Sequence, residues 1–343
     1  MGLFLFFAYP VKISLTCQKN CVEKLSKKSK VRHGSVILLS ILFILSPFLD
    51  ARSAVTVSPP QIEQLDFQVK LLVDRQKRDE ALKLIIQSIY SSQGVERTIL
   101  IRKAHILGCT FMKNKTFQVF QEGHTLLLNK KYRLAREKFE KALSEEPDNV
   151  EILTRLGQSA YLDGDVDAAR ERLLAASSLN PFEPQVRLWL GKILLQKGND
   201  KAVPELRAAY SELKESEQAV VWLSEALASF GQMSSAVRLL SADTKKWPFH
   251  VWSLVVLAKI QSETGAPENQ SLWAARKALQ LALSRLGQYP SNASQASSGP
   301  DLKNNLEFDV RRPASELKVD IQKLLNLVQS KLSDSAASKK RSL

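Results

Sequence analysis

From residue 116 onward, small, apolar and polar positions recur in a fixed order. Ala135 to Pro147 reads AREKFEKALSEEP, and 34 residues later Ala169 to Pro181 reads ARERLLAASSLNP. In both, a bulky apolar residue (Phe139, Leu173) follows the first alanine by four places, a second alanine (Ala142, Ala176) by seven and a proline by twelve. Apolar residues at four- and seven-residue spacing put one greasy stripe on a helix, so each stretch is predicted to be an amphipathic helix ending before its proline. A second ladder runs twelve residues upstream: Gly123, Gly157, Gly191, Ser224 and Ala258, at intervals of 34, 34, 33 and 34. Four of these follow a leucine (Leu156, Leu190, Leu223, Leu257). Between the two ladders lie turn formers, Asp163-Gly164-Asp165, Lys197-Gly198-Asn199-Asp200 and Phe230-Gly231-Gln232, with Asn129-Lys130-Lys131 in the first unit. Each unit therefore reads as two helices joined by a tight turn.

The recurring small residues have a physical purpose. Two helices cross closely only where the contact residue has almost no side chain, while Leu or Phe fills the gap beside it. Gly123, Gly157, Gly191, Ser224 and Ala258 are the expected crossing residues of the first helices. Ala135, Ala169, Ala202 and Ala236 are those of the second helices, with Phe139, Leu173, Leu206 and Leu240 four places on. A lone helical pair leaves an apolar face bare, and the next pair covers it. The fold class expected is all-α, a solenoid of helical hairpins.

That ladder resembles the tetratricopeptide repeat family, whose 34-residue unit places Leu-Gly, then Ala, a large apolar residue and Pro at these spacings. The units fall at 116–149, 150–183, 184–216, 217–250 and 251–290, the last lengthened near Ala266 to Gln270. Upstream, 55–115 is expected to be a divergent helical unit, with Gln76 to Tyr90 similar to the second helix of a repeat. The segment RTILIRKAHILGCTF, Arg97 to Phe111, reads as helix or strand. Residues 291–312 read as a Ser/Asn/Gly/Pro-rich flexible linker. Residues 313–333 carry Leu317, Ile321, Leu324, Leu325, Val328 and Leu332 at helical spacing, a capping helix or a partner-binding arm. Residues 334–343 are expected to be a disordered basic tail.

The first 54 residues form a separate region. Ser35 to Leu49 (SVILLSILFILSPFL) is a fifteen-residue apolar run behind a basic stretch. It is shorter than the roughly 18–20 residues of a spanning helix and fits a signal peptide, or else an uncleaved anchor that leaves everything after Asp50 outside the cytoplasm. An exported location follows from either, periplasmic or secreted in the first and membrane-attached in the second. The net charge of +14 is partly local: eight of the basic side chains lie in those 54 residues against Glu23 and Asp50. What remains is a mildly basic surface, so no nucleic-acid partner is expected.

Candidate chemistry is thin. Three cysteines make no disulfide framework, and the four histidines (His33, His105, His124, His250) show no metal-binding spacing. No phosphate loop or nucleophile elbow occurs. Asp163, Asp165 and Asp167 lack the Glu that would complete a calcium loop, since Leu174 stands there, and read as turn and cap residues. No enzyme, metal or cofactor is expected. The family resemblance instead implies a concave groove lined by positions 2, 5, 9 and 12 of each first helix, where a protein partner binds. The groove residues singled out are Phe117, Phe120, His124 and Leu127, then Thr154, Gln158 and Tyr161, then Leu188 and Lys192. Phe117 and Phe120 are either open to a peptide or covered by residues 95–111. The family's clamp for C-terminal carboxylates needs Lys and Asn at groove positions held here by Phe120 and His124. The expected role is a non-enzymatic interaction scaffold of the cell envelope or secretory space. The runner-up makes the repeats an appendage of a small catalytic or ligand-binding module at 55–115, and a third reading makes the chain a membrane-tethered assembly factor.

Overall fold

The computed structural model describes residues 59–248, 250–263, 270–287 and 314–341. The apolar run at Ser35 to Leu49 and the linker at 291–312 lie outside the described residues. Among those described, all regular structure is helical. Three helices lead in: α1 (Pro59–Asp74), α2 (Arg78–Ser91) and α3 (Gly94–Cys109). Five hairpins follow. They are α4 (Asn114–Leu128) with α5 (Tyr132–Glu145), α6 (Val150–Leu162) with α7 (Val166–Leu179), and α8 (Pro184–Gln196) with α9 (Ala202–Glu212). The last two are α10 (Glu217–Ser229) with α11 (Met233–Lys246), and α12 (Val251–Glu263) with α13 (Gln270–Gly287). The final helix is α14 (Ala314–Arg341).

Local chemistry sets the helix ends. Asn149 accepts hydrogen bonds from the Glu151 and Ile152 N–H groups, Asp165 from Ala168 and Ser216 from Ala219, so three helices start on a side-chain cap. Gly164, Gly198 and Gly231 reverse the chain inside their hairpins at φ of +92°, +66° and +79°. Only glycine adopts that backbone freely. In the first hairpin Lys130 takes it instead, at +58°.

The hairpins nest where the small residues stand. A methyl group built on Gly157 would lie 2.7 Å from Leu173 Cγ, one on Gly191 2.6 Å from Leu206 Cγ, and one on Gly123 2.8 Å from the Phe139 ring. Ser224, Ala258, Ala135, Ala169, Ala202 and Ala236 are fully buried. Gly191→Ala is therefore expected to destabilise the chain despite alanine's better helix propensity. The gain of about 1 kcal/mol is outweighed by an overpacking cost of about 1–3 kcal/mol, because Leu206 Cγ is a branch point that cannot swing aside. Urea denaturation should show the midpoint falling.

Gln76 to Tyr90 is helical from Arg78 on, as α2, and the α2–α3 pair docks on later hairpins. Its apolar stripe, Leu82, Ile85, Ile89, Leu100 and Ala104, shares a core with Val150, Leu153, Ala176 and Val186 of α6, α7 and α8. Gly108 allows this approach, since a methyl there would stand 3.1 Å from Val150 Cγ2. The segment Arg97 to Phe111 is thus helix through Cys109, and the strand reading is dropped. At the other end, α14 runs past Ser333 to Arg341 and takes in most of the stretch expected to be disordered. Ala336, Ala337, Lys339 and Lys340 favour helix and no glycine or proline interrupts them. Ile321 and Val328 of α14 are fully buried against α12 and α13, with Leu324, Leu325 and Leu332 beside them, so the helix caps the array.

Candidate functional site

First helices of successive hairpins (α4, α6, α8, α10, α12) lie side by side and form the inner layer of the array. Their inward positions are less open than the sequence implies. Phe120, Leu127, Thr154, Gln158 and Leu188 are buried. Of the nine singled out, only Phe117, His124, Tyr161 and Lys192 reach the surface. Phe120 is closed off by Phe111, whose ring centroid stands 4.7 Å away, and by Phe139 at 5.4 Å. Phe111 also packs on Phe117, at 5.2 Å, which stays 41% exposed. The cover over the first unit thus comes from the short linker between α3 and α4. Phe120 is a core residue.

Further along, Tyr161, Trp189 and Trp222 form a ladder across α6, α8 and α10, with centroid separations of 5.5 and 4.9 Å. Lys192 lies over the Trp222 ring, 5.2 Å from its centroid, and its Nζ donates to Glu225 Oε2 at 3.0 Å. Glu225 borders a cleft of about 400 Å³ between α10, α12 and α14. Trp252, Val255, Val256, Leu324 and Leu327 form its apolar walls, and Lys259, Lys323 and Asp320 stand on its rim. Trp252, Val255 and Lys259 occupy in the fifth unit the inward positions 2, 5 and 9. This opening on the inner face lies toward the C-terminal end.

Residues 126–193, from the end of α4 through α5, α6 and α7 into α8, match the family described as tetratricopeptide repeat. The matched segment contains the Gly157–Leu173 crossing and the Gly164 turn. The chain carries tetratricopeptide repeats. Among curated proteins none matches it. Solved structures with some likeness include MamA of Desulfovibrio magneticus RS-1, from residue 41 to its end. It is 17% identical over 51% of this chain and 98% of that one, with a TM-score of 0.44. TTC0263, a thermophilic TPR protein of Thermus thermophilus, is 18% identical over 52% and 94%, at 0.44. YrrB, a TPR protein with an unusual peptide-binding site, is 17% identical over 51% and 90%, at 0.39.

One polar cluster beside the tetratricopeptide array was missed by sequence reasoning. His105 and Cys109, four residues apart, stand on the same face of α3 and meet Glu183 at the start of α8. His105 Nδ1 is 2.7 Å from Glu183 Oε2, and Cys109 Sγ is 3.8 Å from His105 Nδ1 and 3.9 Å from that same oxygen. The expectation that no histidine has ligand-type neighbours therefore fails at His105. The hydrogen bond that Glu183 accepts raises the imidazole's pKa, with burial opposing it and the Glu183 and Glu151 charges adding to it. Burial pushes the Cys109 thiol well up, helped by the same two carboxylates and opposed by Arg155. Arg155 is itself buried and bound to Glu151 Oε1 and Gln158 Oε1, at 2.8 Å each. A His-x-x-x-Cys spacing on a helix was the available signal for two members of the cluster. Nothing in the sequence pointed to Glu183.

Proposed function

We propose that this chain is a non-enzymatic scaffold that holds a segment of a protein partner in the cleft between α10, α12 and α14, and that it works outside the cytoplasm. Tetratricopeptide arrays are interaction scaffolds, and the architecture here is of that kind. The observation carrying the finer reading is the cleft itself. Inward repeat positions are accessible there beside apolar walls, with two lysines and two carboxylates around them. Such a site suits an amphipathic segment that inserts one or two large apolar side chains and offers both charges at the rim. Phe120, first expected to open the groove, is instead buried under Phe111.

The test is site-specific photocrosslinking in cells. A photoreactive residue at Leu327, which is 49% exposed, is expected to trap a discrete partner. The same residue at Leu174, 47% exposed on α7, is expected to trap none. Equal adducts from both sites, or none from Leu327, would remove the cleft from the proposal. Export rests on the apolar run at Ser35 to Leu49 and its basic approach. Among the described residues no helix is long and apolar enough to cross a membrane. Recovery of the full chain only in the cytoplasmic fraction would overturn the export reading and leave the cleft reading standing.

A further inference from the structure

We propose that His105, Cys109 and Glu183 bind a zinc-type divalent cation through imidazole Nδ1, Sγ and Oε2, fastening α3 to the start of α8. Three features of the cluster lead there. The first is geometry. Tetrahedral zinc with ordinary bond lengths of about 2.0–2.3 Å sets its ligand atoms about 3.4–3.6 Å apart. The sulfur-to-nitrogen and sulfur-to-oxygen separations, 3.8 and 3.9 Å, already stand close to that. The third edge, 2.7 Å, is a hydrogen bond that a cation replaces by parting two side chains less than an ångström. The second is donor type: one thiolate, one imidazole and one carboxylate form the borderline set that selects zinc over calcium or magnesium.

The third is the state of Glu183. Its carboxylate is 2% exposed, and among the described residues its only ion-pair partner is His105. It occupies the N-cap of α8 but makes no side-chain cap bond, pointing instead at the α3 face. A carboxylate removed from water and turned from its own helix favours positive charge beside it, and a divalent ion supplies more of it than an imidazole can. Zinc meets that preference directly. The site is reachable, since the His105 side chain is 46% exposed. Three protein ligands leave a fourth position for water or an outside donor, because the neighbouring Glu151 is held by Arg155. Two ligands from one helix turn and a third 74 residues on make the ion a clip between the N-terminal hairpin and the repeats. Binding releases the Cys109 proton and any proton shared between His105 and Glu183, so affinity falls as pH drops.

The experiment uses the full chain with Cys17→Ser and Cys21→Ser, which leaves Cys109 as the sole thiol. Cobalt(II) is titrated while thiolate-to-cobalt charge-transfer absorption is followed, and zinc is then added in competition. One cobalt per chain, a thiolate band and its displacement by zinc are expected. Cys109→Ser should abolish the band, while Glu183→Gln and His105→Ala should each weaken binding at least tenfold. Helical circular dichroism shows whether each variant is folded, and His105→Ala, at a half-exposed side chain, keeps the test open if Glu183→Gln is not. Absence of a thiolate band, or binding unchanged by His105→Ala, overturns the proposal.

Discussion

Replacing Arg78 with alanine is expected to cost about 3–5 kcal/mol and to detach the α2–α3 hairpin from the repeats. Arg78 is fully buried at the first turn of α2. Its Nη2 donates to Glu146 Oε2 at 2.7 Å and to the Thr110 carbonyl at 2.6 Å, and its Nη1 to Asp148 Oδ1 at 3.0 Å. Glu146 also accepts the backbone N–H groups of Met112 and Lys113, at 3.0 and 2.9 Å. One guanidinium thus joins α2, the α3–α4 linker and the turn after α5. Removing it strands a carboxylate that is 4% exposed. The same network sets an acid dependence. Burial alone would push the Glu146 carboxyl up, but the bonds from Arg78, Met112 and Lys113 outweigh it and hold its pKa below the usual value. A depressed carboxyl stabilises the fold above its unfolded pKa, and that contribution is lost as pH falls through the lower, folded value. Cys109 reports the opening, because it sits on the hairpin's inner side. Thiol labelling at one fixed neutral pH, with Cys17 and Cys21 replaced by serine, should accelerate in Arg78→Ala; urea denaturation should show stability falling on acidification, and Glu146→Gln should flatten that acid response. Labelling as slow in Arg78→Ala as in the parent would show the hairpin held by its apolar core alone.

The repeats were legible in sequence because their determinants are local and periodic. Gly157 and Leu173, or Gly191 and Leu206, each mark one close crossing, and the turn glycines recur with them. The docking of α2 and α3 has no period. It depends on Arg78 meeting Glu146 and Asp148, 68 and 70 residues away, and on Gly108 meeting Val150. A pattern search therefore finds the helix at Gln76 to Tyr90 but not the surface it docks on. The candidate sites divide in the same way. Inward positions follow from the repeat register, so the residues lining the groove could be named. Which of them stay open depends on Phe111, from a linker outside the repeats, and on α14, which the repeat register does not place. His105 and Cys109 share a helix face and could have been paired from spacing, but Glu183 reaches them only through the tertiary fold.

Trp189→Ala carries the second large effect, about 3–5 kcal/mol, as for a buried aromatic side chain cut to a methyl. Trp189 is 2% exposed and stands between Tyr161 of α6 and Trp222 of α10, so it touches the hairpins on both sides of its own. In a solenoid each unit is stabilised mainly by its neighbours, and loss of one interface uncouples what lies on either side. The expected result is a change of shape as well as a shift: the urea transition should broaden or split as the α4–α7 segment unfolds apart from α10–α14, with a smaller apparent m-value. Trp273→Ala is the matched control. That side chain is 55% exposed on α13, and its loss should change stability by no more than about 0.5 kcal/mol. A transition in Trp189→Ala that moves to lower urea yet stays as steep as the parent's would mean the array melts as one body. The second helices (α7, α9, α11) would then couple the units, with the inner aromatic ladder contributing stability and no cooperativity.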